Sequence, residues 1–210
     1  MKLLSFDTSS DRLSIAIGDG AVPIAEWESD AFMRHSETLV PALGEIFAKH
    51  NIKPGAIGCV AVGLGPGSFT GLRVGITTAK IFAYAFKIKI VGVSSLAAIA
   101  HASKLRGRVA VTRDARRGKV YAALYEMKNG VLRELKKPAL LALSEFVKRA
   151  GRSAQFVDET VMPRASSVAA LALESIRRKK FIDPFHLEPE YLYPKDCNVT
   201  RGLTPLGKFS

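Results

Sequence analysis

The sequence predicts an α/β protein with two lobes, each a mixed sheet flanked by helices. Apolar strand patterns and helical patterns alternate in the order βββαβαβα over the first half of the chain. A new series of strand patterns begins near Val109, and 210 residues are enough for two small domains. We therefore divide the chain into an N-terminal lobe of residues 1–103 and a C-terminal lobe of residues 104–210, whose tail is partly extended from about residue 181.

Three antiparallel strands are predicted at the start of the chain. Leu3–Phe6 is a short apolar run, and residues 13–17 alternate between large apolar and small side chains. The sequence Gly18-Asp19-Gly20 is typical of a hairpin turn, after which residues 22–27 return as the third strand. A helix follows, with Ser36 as its expected N-cap and an end near residue 50.

The most distinctive motif is GLGPGSFTGLRVG, residues 63–75, between an apolar strand at 57–62 and a strongly helical segment that ends at Phe86. Ser68 or Thr70 is the expected N-cap of that helix. The glycine spacing fits neither a phosphate loop, which needs Lys followed by Ser or Thr, nor the dinucleotide-binding fingerprint. We therefore interpret the motif as a tight turn that lets helix and strand approach closely, in preference to a nucleotide cradle.

The remaining elements continue the alternation. Several prolines after residue 181 favour an extended end of the chain, in which residues 190–193 are the segment expected to dock. The other predicted elements are strands at 88–93, 109–114, 119–126, 131–135 and 154–157, and helices at 96–103, 143–150 and 166–178.

The two halves share a hairpin pattern at a constant offset of 107 residues. The corresponding positions are Asp7 and Asp114, Leu13 and Val120, Ile15 and Ala122, and Ile17 and Leu124. Because the offset is about half the chain length, we interpret it as a duplicated lobe. The alternative is a chance match between two β-hairpins.

Two helices of the first lobe are predicted to form a subunit interface. The helix from Thr70 to Phe86 is more apolar than one sheet face requires, and small residues recur in it every four positions. Such a ridge allows another helix to pack closely. The alternative is that both helices cover the sheet as ordinary core elements. The residues expected at the interface are Leu39, Leu43, Ile46, Arg73, Gly75, Thr78, Ala79, Phe82 and Ala83.

The chain is strongly basic, with 31 basic and 19 acidic residues and a net charge of +12. This excess favours an RNA or an acidic protein as partner, and the alternative is a solvated basic surface without a partner. No apolar run is long enough to span a membrane, and residues 1–10 lack a signal-peptide pattern. Cys59 and Cys197 belong to no paired-cysteine motif, so we expect a cytoplasmic protein.

Several motifs together resemble the TsaB/YeaZ family, a subunit of the bacterial machinery that makes threonylcarbamoyladenosine in tRNA. The matching motifs are residues 3–9, Arg34-His35-Ser36-Glu37, Gly65–Gly75, Gly92-Val93-Ser94-Ser95-Leu96, and Asp114-Ala115-Arg116 with Tyr121. The match is strong over most of residues 1–126 and weaker beyond. The family belongs to the actin-like ATPase superfamily, so the resemblance implies two ribonuclease-H-like lobes.

The resemblance implies a non-catalytic scaffold or activator subunit without a cofactor or metal of its own. The catalytic sister subunit, TsaD, carries a His-x-x-x-His metal pair, whose positions correspond here to Ser95 and Ile99, and neither can bind such a metal. Asp7, Thr8 and Ser9 correspond to the hairpin that meets nucleotide phosphates in active members of the superfamily. We interpret these residues as a remnant of that phosphate hairpin, or Asp7 as a hairpin-capping residue, in preference to a working metal ligand.

The resemblance also implies partners. These are a TsaD-type catalytic subunit, a TsaE-type ATPase and, through the complex, tRNA, and the chain alone is expected to form a homodimer through the same helices. The residues expected to contact tRNA are Arg113, Arg116, Arg117 and Lys119. The alternative function is an independent sugar-kinase-like ATPase or a glycopeptidase-like enzyme of the same superfamily.

Overall fold

The structure, a computed structural model, describes residues 1–30 and 34–193. Its first sheet has five strands in the order β3-β2-β1-β4-β5. Strand β2 is antiparallel to both β1 and β3, whereas β1, β4 and β5 are parallel. The elements of this part are β1 (Lys2–Asp7), β2 (Arg12–Asp19), β3 (Val22–Asp30), α1 (His35–Lys49), β4 (Ile57–Gly63), α2 (Phe69–Phe86), β5 (Lys89–Val93) and α3 (Ser95–Ala102).

A second sheet of four strands follows, with the order β8-β7-β6-β9. Neighbours among β6, β7 and β8 are antiparallel, and β9 is parallel to β6. The elements are β6 (Gly107–Asp114), β7 (Lys119–Lys128), β8 (Val131–Ala142), α4 (Leu143–Ala150), β9 (Gln155–Phe156) and α5 (Ala165–Arg177). None of the helices in the described ranges is long and apolar enough to cross a membrane.

The predicted order of elements is confirmed, and so is the α/β class with two mixed sheets. One cap was predicted wrongly. Helix α1 begins at His35, and its N-cap is Arg34 without a side-chain hydrogen bond, so Ser36 lies inside the first turn. The N-cap of α2 is Ser68, whose Oγ accepts a hydrogen bond of 3.2 Å from the Gly71 amide, whereas Thr70 is helical.

The duplication is confirmed at the level of topology, because both sheets begin with three antiparallel strands followed by a helix and a parallel strand. The two hairpins nevertheless differ by one residue in register. Asp7 lies opposite Ser14, but Asp114 lies opposite Val120, where the offset of 107 predicts Tyr121. The two aspartates also differ in environment, since Asp7 is fully buried and Asp114 is exposed.

Helix α3 lies between the two sheets, and helix α5 covers the first sheet. Ala98 of α3 and Val168 of α5 pack with Leu3 and Val91 of the first sheet. The opposite side of α3 packs on the second sheet, where Ile99 contacts the apolar cluster around Val109, Val111, Ala123 and Tyr125. A helix late in the chain therefore covers the first sheet, and α3 lies between the two sheets.

The small-residue ridge of α2 packs inside the first lobe, contrary to the interface prediction. Ala79 and Ala83 are buried in the same apolar cluster as Phe6 and Val60. A methyl group on Gly75 would lie 2.2 Å from Thr8 Oγ1, so the ridge faces β1. From α1, the predicted interface residues Leu39, Leu43 and Ile46 are buried in this core as well. Of the set, Arg73 is exposed, and Thr78 and Phe82 are half-buried.

Candidate functional site

The carboxyl ends of three parallel strands, β1, β4 and β5, meet at one edge of the first sheet. In open α/β sheets, ligands bind in the crevice beyond this edge. The residues found here are Asp7 at the end of β1, the 63–67 turn after β4, and Ser95 after β5. We call this position the sheet-edge crevice. An active relative would bind its ligand here, so the geometry of the crevice indicates whether this chain can bind one.

The Asp7 carboxylate is fully buried and bound by groups of its own chain. Its Oδ1 accepts hydrogen bonds from the Ser9 amide at 2.8 Å and from Ser9 Oγ at 2.6 Å, and its Oδ2 accepts one from Ser95 Oγ at 2.6 Å. Burial raises the pKa of Asp7, while these hydrogen bonds and the nearby His35 oppose the rise. Gly63 adjoins the other side of Oδ2, because a methyl group there would lie 1.9 Å away.

The glycine turn packs directly on the residues that follow β1. A methyl group on Gly67 would lie 2.2 Å from the Ser9 carbonyl oxygen, and one on Gly71 would lie 2.1 Å from that of Thr8. Thr8 Oγ1 donates to the Gly71 carbonyl at 2.7 Å, and the Ser68 amide donates to Ser9 at 2.7 Å. The interpretation as a close-packing turn is confirmed, because these donors are used within the chain.

Ser95 and Ile99, which the resemblance aligns with the metal pair of TsaD, have structural roles. Ser95 Oγ donates to Asp7 and accepts a hydrogen bond of 3.0 Å from the Gly65 amide. Ile99 is buried against the second sheet. Within residues 1–30 and 34–193, no group of three or more His, Cys, Asp or Glu side chains could hold a metal ion.

The segment 187–193 docks beside this crevice, and the prediction that residues 190–193 dock is confirmed. The Glu190 amide donates to the Leu64 carbonyl at 2.8 Å, directly after β4. Tyr191 packs on Phe69 with ring centroids 5.2 Å apart, and Arg73 Nε donates to its hydroxyl at 3.1 Å. Tyr193 Oη donates to the Ala115 carbonyl of the second lobe. The segment therefore links both lobes, and residues from 194 onward lie outside the described ranges.

Glu190 has an unusual environment within this segment. Burial and the neighbouring Glu134 raise the pKa of Glu190 to about 7, and Lys137 opposes the rise. The docking segment could be predicted from the prolines and aromatic residues of the sequence, but the raised pKa of this carboxylate could not. Its neighbours come from β8, which is remote in sequence, so only the tertiary structure brings them together.

The basic residues predicted to contact tRNA divide into two groups. Arg113 is half-buried and donates from its guanidinium to the Thr112 and Val161 carbonyls, and burial lowers its pKa. It therefore fastens the 158–164 loop to β6, and its prediction as a free RNA contact is not supported. Arg116, Arg117 and Lys119 are exposed at the β6–β7 turn.

Comparison with solved structures defines the class of the fold. YeaZ from Pseudomonas aeruginosa matches with a TM-score of 0.80 and 25% identity, covering 91% of this chain and 99% of that one. A further crystal structure, of a protein with similarity to peptidase YeaZ from Pseudomonas aeruginosa, matches with a TM-score of 0.82 and 24% identity over the same shares. The fold is thus that of actin-like proteins with ribonuclease-H-like lobes.

Sequence comparison places the chain within this class. The family model described as TsaD, tRNA N6-adenosine threonylcarbamoyltransferase, matches residues 7–181. The tRNA threonylcarbamoyladenosine biosynthesis protein TsaB of Bacillus subtilis is 37% identical over 64% of this chain and 59% of its own length. The TsaB protein of Escherichia coli is 26% identical over 91% of this chain and 94% of its own length. The chain belongs to the TsaB/YeaZ family.

Proposed function

We propose that this protein is an accessory subunit in the synthesis of threonylcarbamoyladenosine in tRNA and that it supports a TsaD-type catalytic partner. The single observation that carries the proposal is the filled sheet-edge crevice. Asp7 accepts hydrogen bonds from Ser9 and Ser95, the Ser68 amide of the turn donates to the Ser9 carbonyl, and the Gly71 carbonyl accepts from Thr8 Oγ1. These contacts make the crevice a packing site, and the Escherichia coli protein that matches over 94% of its own length is named for threonylcarbamoyladenosine biosynthesis in tRNA.

The partner surface that we propose is the outward face of α1 and α2, and not the buried ridge between them. Ile81 and Tyr84 of α2 are 63% and 70% exposed, and Val40 of α1 is 62% exposed. Exposed apolar and aromatic side chains at helical spacing are typical of protein interfaces. Phe69 and Arg73 extend this surface at the start of α2, where they contact Tyr191. The same face would serve a second copy of this chain when the catalytic partner is absent.

The proposal includes a TsaE-type ATPase as a further component, tRNA bound by the assembled complex, and a location in the cytoplasm. It assigns no turnover to this chain. The absence of turnover is supported by Ser95 and Ile99, which the resemblance aligns with the catalytic metal pair. Ser95 bonds Asp7, and Ile99 packs in the core.

The experiment is reconstitution of tRNA modification with purified TsaD-type and TsaE-type proteins, an enzyme that supplies threonylcarbamoyl-adenylate, and tRNA. We expect modified adenosine to form only when this chain is added. The chain alone should release no phosphate from ATP. Equal modification with and without the chain would contradict the proposal. Phosphate release by the chain alone that is lost in Asp7→Ala would instead support the sugar-kinase alternative.

A further inference from the structure

The positive charge of this protein is concentrated in the second sheet and its loops. Residues 1–103 hold 9 basic and 8 acidic side chains, whereas residues 104–163 hold 14 basic and 6 acidic ones. Among the described residues, the one ion pair found within 104–163 joins Arg149 and Glu145. In the first sheet, by contrast, Arg12 contacts both Glu28 and Asp30. The excess charge of the second sheet is therefore not neutralised within the described part of the chain.

One face of the second sheet is only partly covered by a helix. Phe146 and Ala150 of α4 pack on the face that carries Ala110 and Leu124. Helix α4 has 8 residues and spans about 12 Å. Strand β7 has 10 residues and spans roughly 33 Å. The carbonyl of Ala150, the last residue of α4, accepts a hydrogen bond of 2.9 Å from Arg108, so α4 ends beside Arg108 and only the part of this face nearest the β7–β8 turn extends beyond it.

Basic side chains occupy the uncovered part. Since side chains alternate along a strand, Glu126 and Lys128 lie on the same face as Leu124. Glu126 lies opposite Arg108 on β6 and Arg133 on β8, and Leu124 lies opposite Lys136. Lys104 and Arg106 line a cavity of about 570 Å³ together with Lys128 and Glu126. We name this surface the basic shelf, whose cations are Lys104, Arg106, Lys128, Arg133 and Lys136.

We propose that the basic shelf contacts the phosphate backbone of tRNA, an inference that rests on the proposed function. All five of its cations are exposed, and one carboxylate, Glu126, lies among them. Cations spread over β7, β8 and the segment before β6 suit a polyanion with regularly spaced charges, whereas the cores of protein interfaces are depleted of charge. None of the described residues that line the cavity is aromatic, so the contact positions the RNA and does not read its bases.

The shelf is distinct from the basic turn at Arg116 and Arg117. That turn joins β6 to β7, whereas the shelf lies toward the β7–β8 end of the same strands, about 17 Å away at Lys136 and roughly 30 Å away at Lys128. The two basic regions therefore cannot contact the same phosphates. A tRNA helix is long enough to reach both, and the cavity of about 570 Å³ lies at the shelf end.

The test is the salt dependence of tRNA affinity, measured on the full chain assembled with its TsaD-type partner and an in vitro transcribed tRNA. The shelf variant combines Lys104→Gln, Lys128→Gln and Arg133→Gln. The matched control removes the same charge with Lys89→Gln, Lys179→Gln and Lys180→Gln, which are also exposed. We expect the shelf variant to bind roughly tenfold or more weakly and its plot of log affinity against log salt to flatten by about 3, and we expect no change for the control.

Three outcomes would overturn the proposal. The first is unchanged tRNA affinity in the shelf variant. Aggregation of the variant with unchanged affinity of its soluble fraction belongs to this outcome, because it would show that the cations protect the β8 edge from pairing. The second is equal weakening in the control, which would indicate nonspecific charge. The third is loss of the TsaD-type partner from the shelf variant, which would make the shelf a protein contact. Failure of the proposed function is a separate result, in which modification does not depend on this chain at all.

Discussion

Ser95 Oγ donates a hydrogen bond of 2.6 Å to Oδ2 of Asp7, 88 residues earlier in the chain. The same hydroxyl accepts from the Gly65 amide at 3.0 Å, so one serine joins the ends of β1, β4 and β5. All of these groups are buried. At the sheet edge where a ligand would bind in an active relative, the chain therefore satisfies its own carboxylate.

Replacing Ser95 with Ala should destabilise the protein. The substitution removes the hydrogen-bond donor to Oδ2 of Asp7 and the acceptor of the Gly65 amide in a buried site, at a cost of about 2–4 kcal/mol in the free energy of unfolding. Urea denaturation measures this loss. The control is Ser94→Ala, whose hydroxyl makes a long bond of 3.4 Å to the Gly65 carbonyl and is half-buried, so that its loss should stay below about 1 kcal/mol. Equal losses in the two variants would contradict this account of Ser95.

Replacing Gly75 with Ala should also destabilise the monomer, because the new methyl group meets Thr8 Oγ1 at 2.2 Å. Overpacking of a buried contact costs about 1–3 kcal/mol and exceeds the gain in helix propensity. Gly44→Ala is the matched control in α1, since no atom lies within 4 Å of its added methyl. It should stabilise the protein by up to about 1 kcal/mol. A neutral Gly75→Ala substitution would mean that the ridge faces away from β1.

Replacing Ile81 with Asp should prevent self-association and binding of the TsaD-type partner while leaving the thermal melt largely unchanged. Ile81 is exposed on α2, so a charge there meets water in the monomer and is buried only in a complex. Sedimentation measures the association. Val147→Asp, at a 48% exposed apolar position of α4, is the control and should associate normally. Ala79→Arg, on the buried face of the same helix, should instead unfold the monomer. Dimerisation of Ile81→Asp at wild-type affinity would place the interface elsewhere.

The docking of residues 187–193 should weaken as pH rises. The pKa of Glu190 in the folded protein is about 7, above its ordinary value of 4.5, so the folded state favours the protonated form. The stabilising effect is therefore complete below about pH 4.5 and is lost as pH rises through about 7. The Glu190 amide donates to the Leu64 carbonyl, so its hydrogen exchange reports the docking. The measured rates must first be corrected for the pH dependence of intrinsic exchange. Protection should be lower at pH 8 than at pH 5, and Glu190→Gln should remove the difference. Equal protection at both pH values in the unmodified chain would contradict this prediction.

Local sequence patterns were enough to predict the strands, the helices and their order. Strand and helix periods are properties of consecutive side chains, so the βββαβαβα order, the long α2 and the close-packing turn at residues 63–75 could be predicted. The Asp-Thr-Ser segment and the GPGSFTGLRVG motif also carried the family resemblance. The turn was predictable because only glycine permits the approach that Gly67, Gly71 and Gly75 make to residues 8 and 9.

Only the tertiary structure decided which face of each helix is buried. The small residues of α2 form a ridge that could equally pack on a partner or on its own sheet, and its position against Thr8 depends on β1, more than 60 residues earlier. In the same way, the charge of Arg113 predicted a contact with RNA, but its guanidinium donates to the Val161 carbonyl. The raised pKa of Glu190 depends on β8, and the basic shelf depends on the length of α4 relative to β7. Sequence determines which surfaces a helix or strand can bury, whereas contacts between distant segments determine which surface is left for a partner.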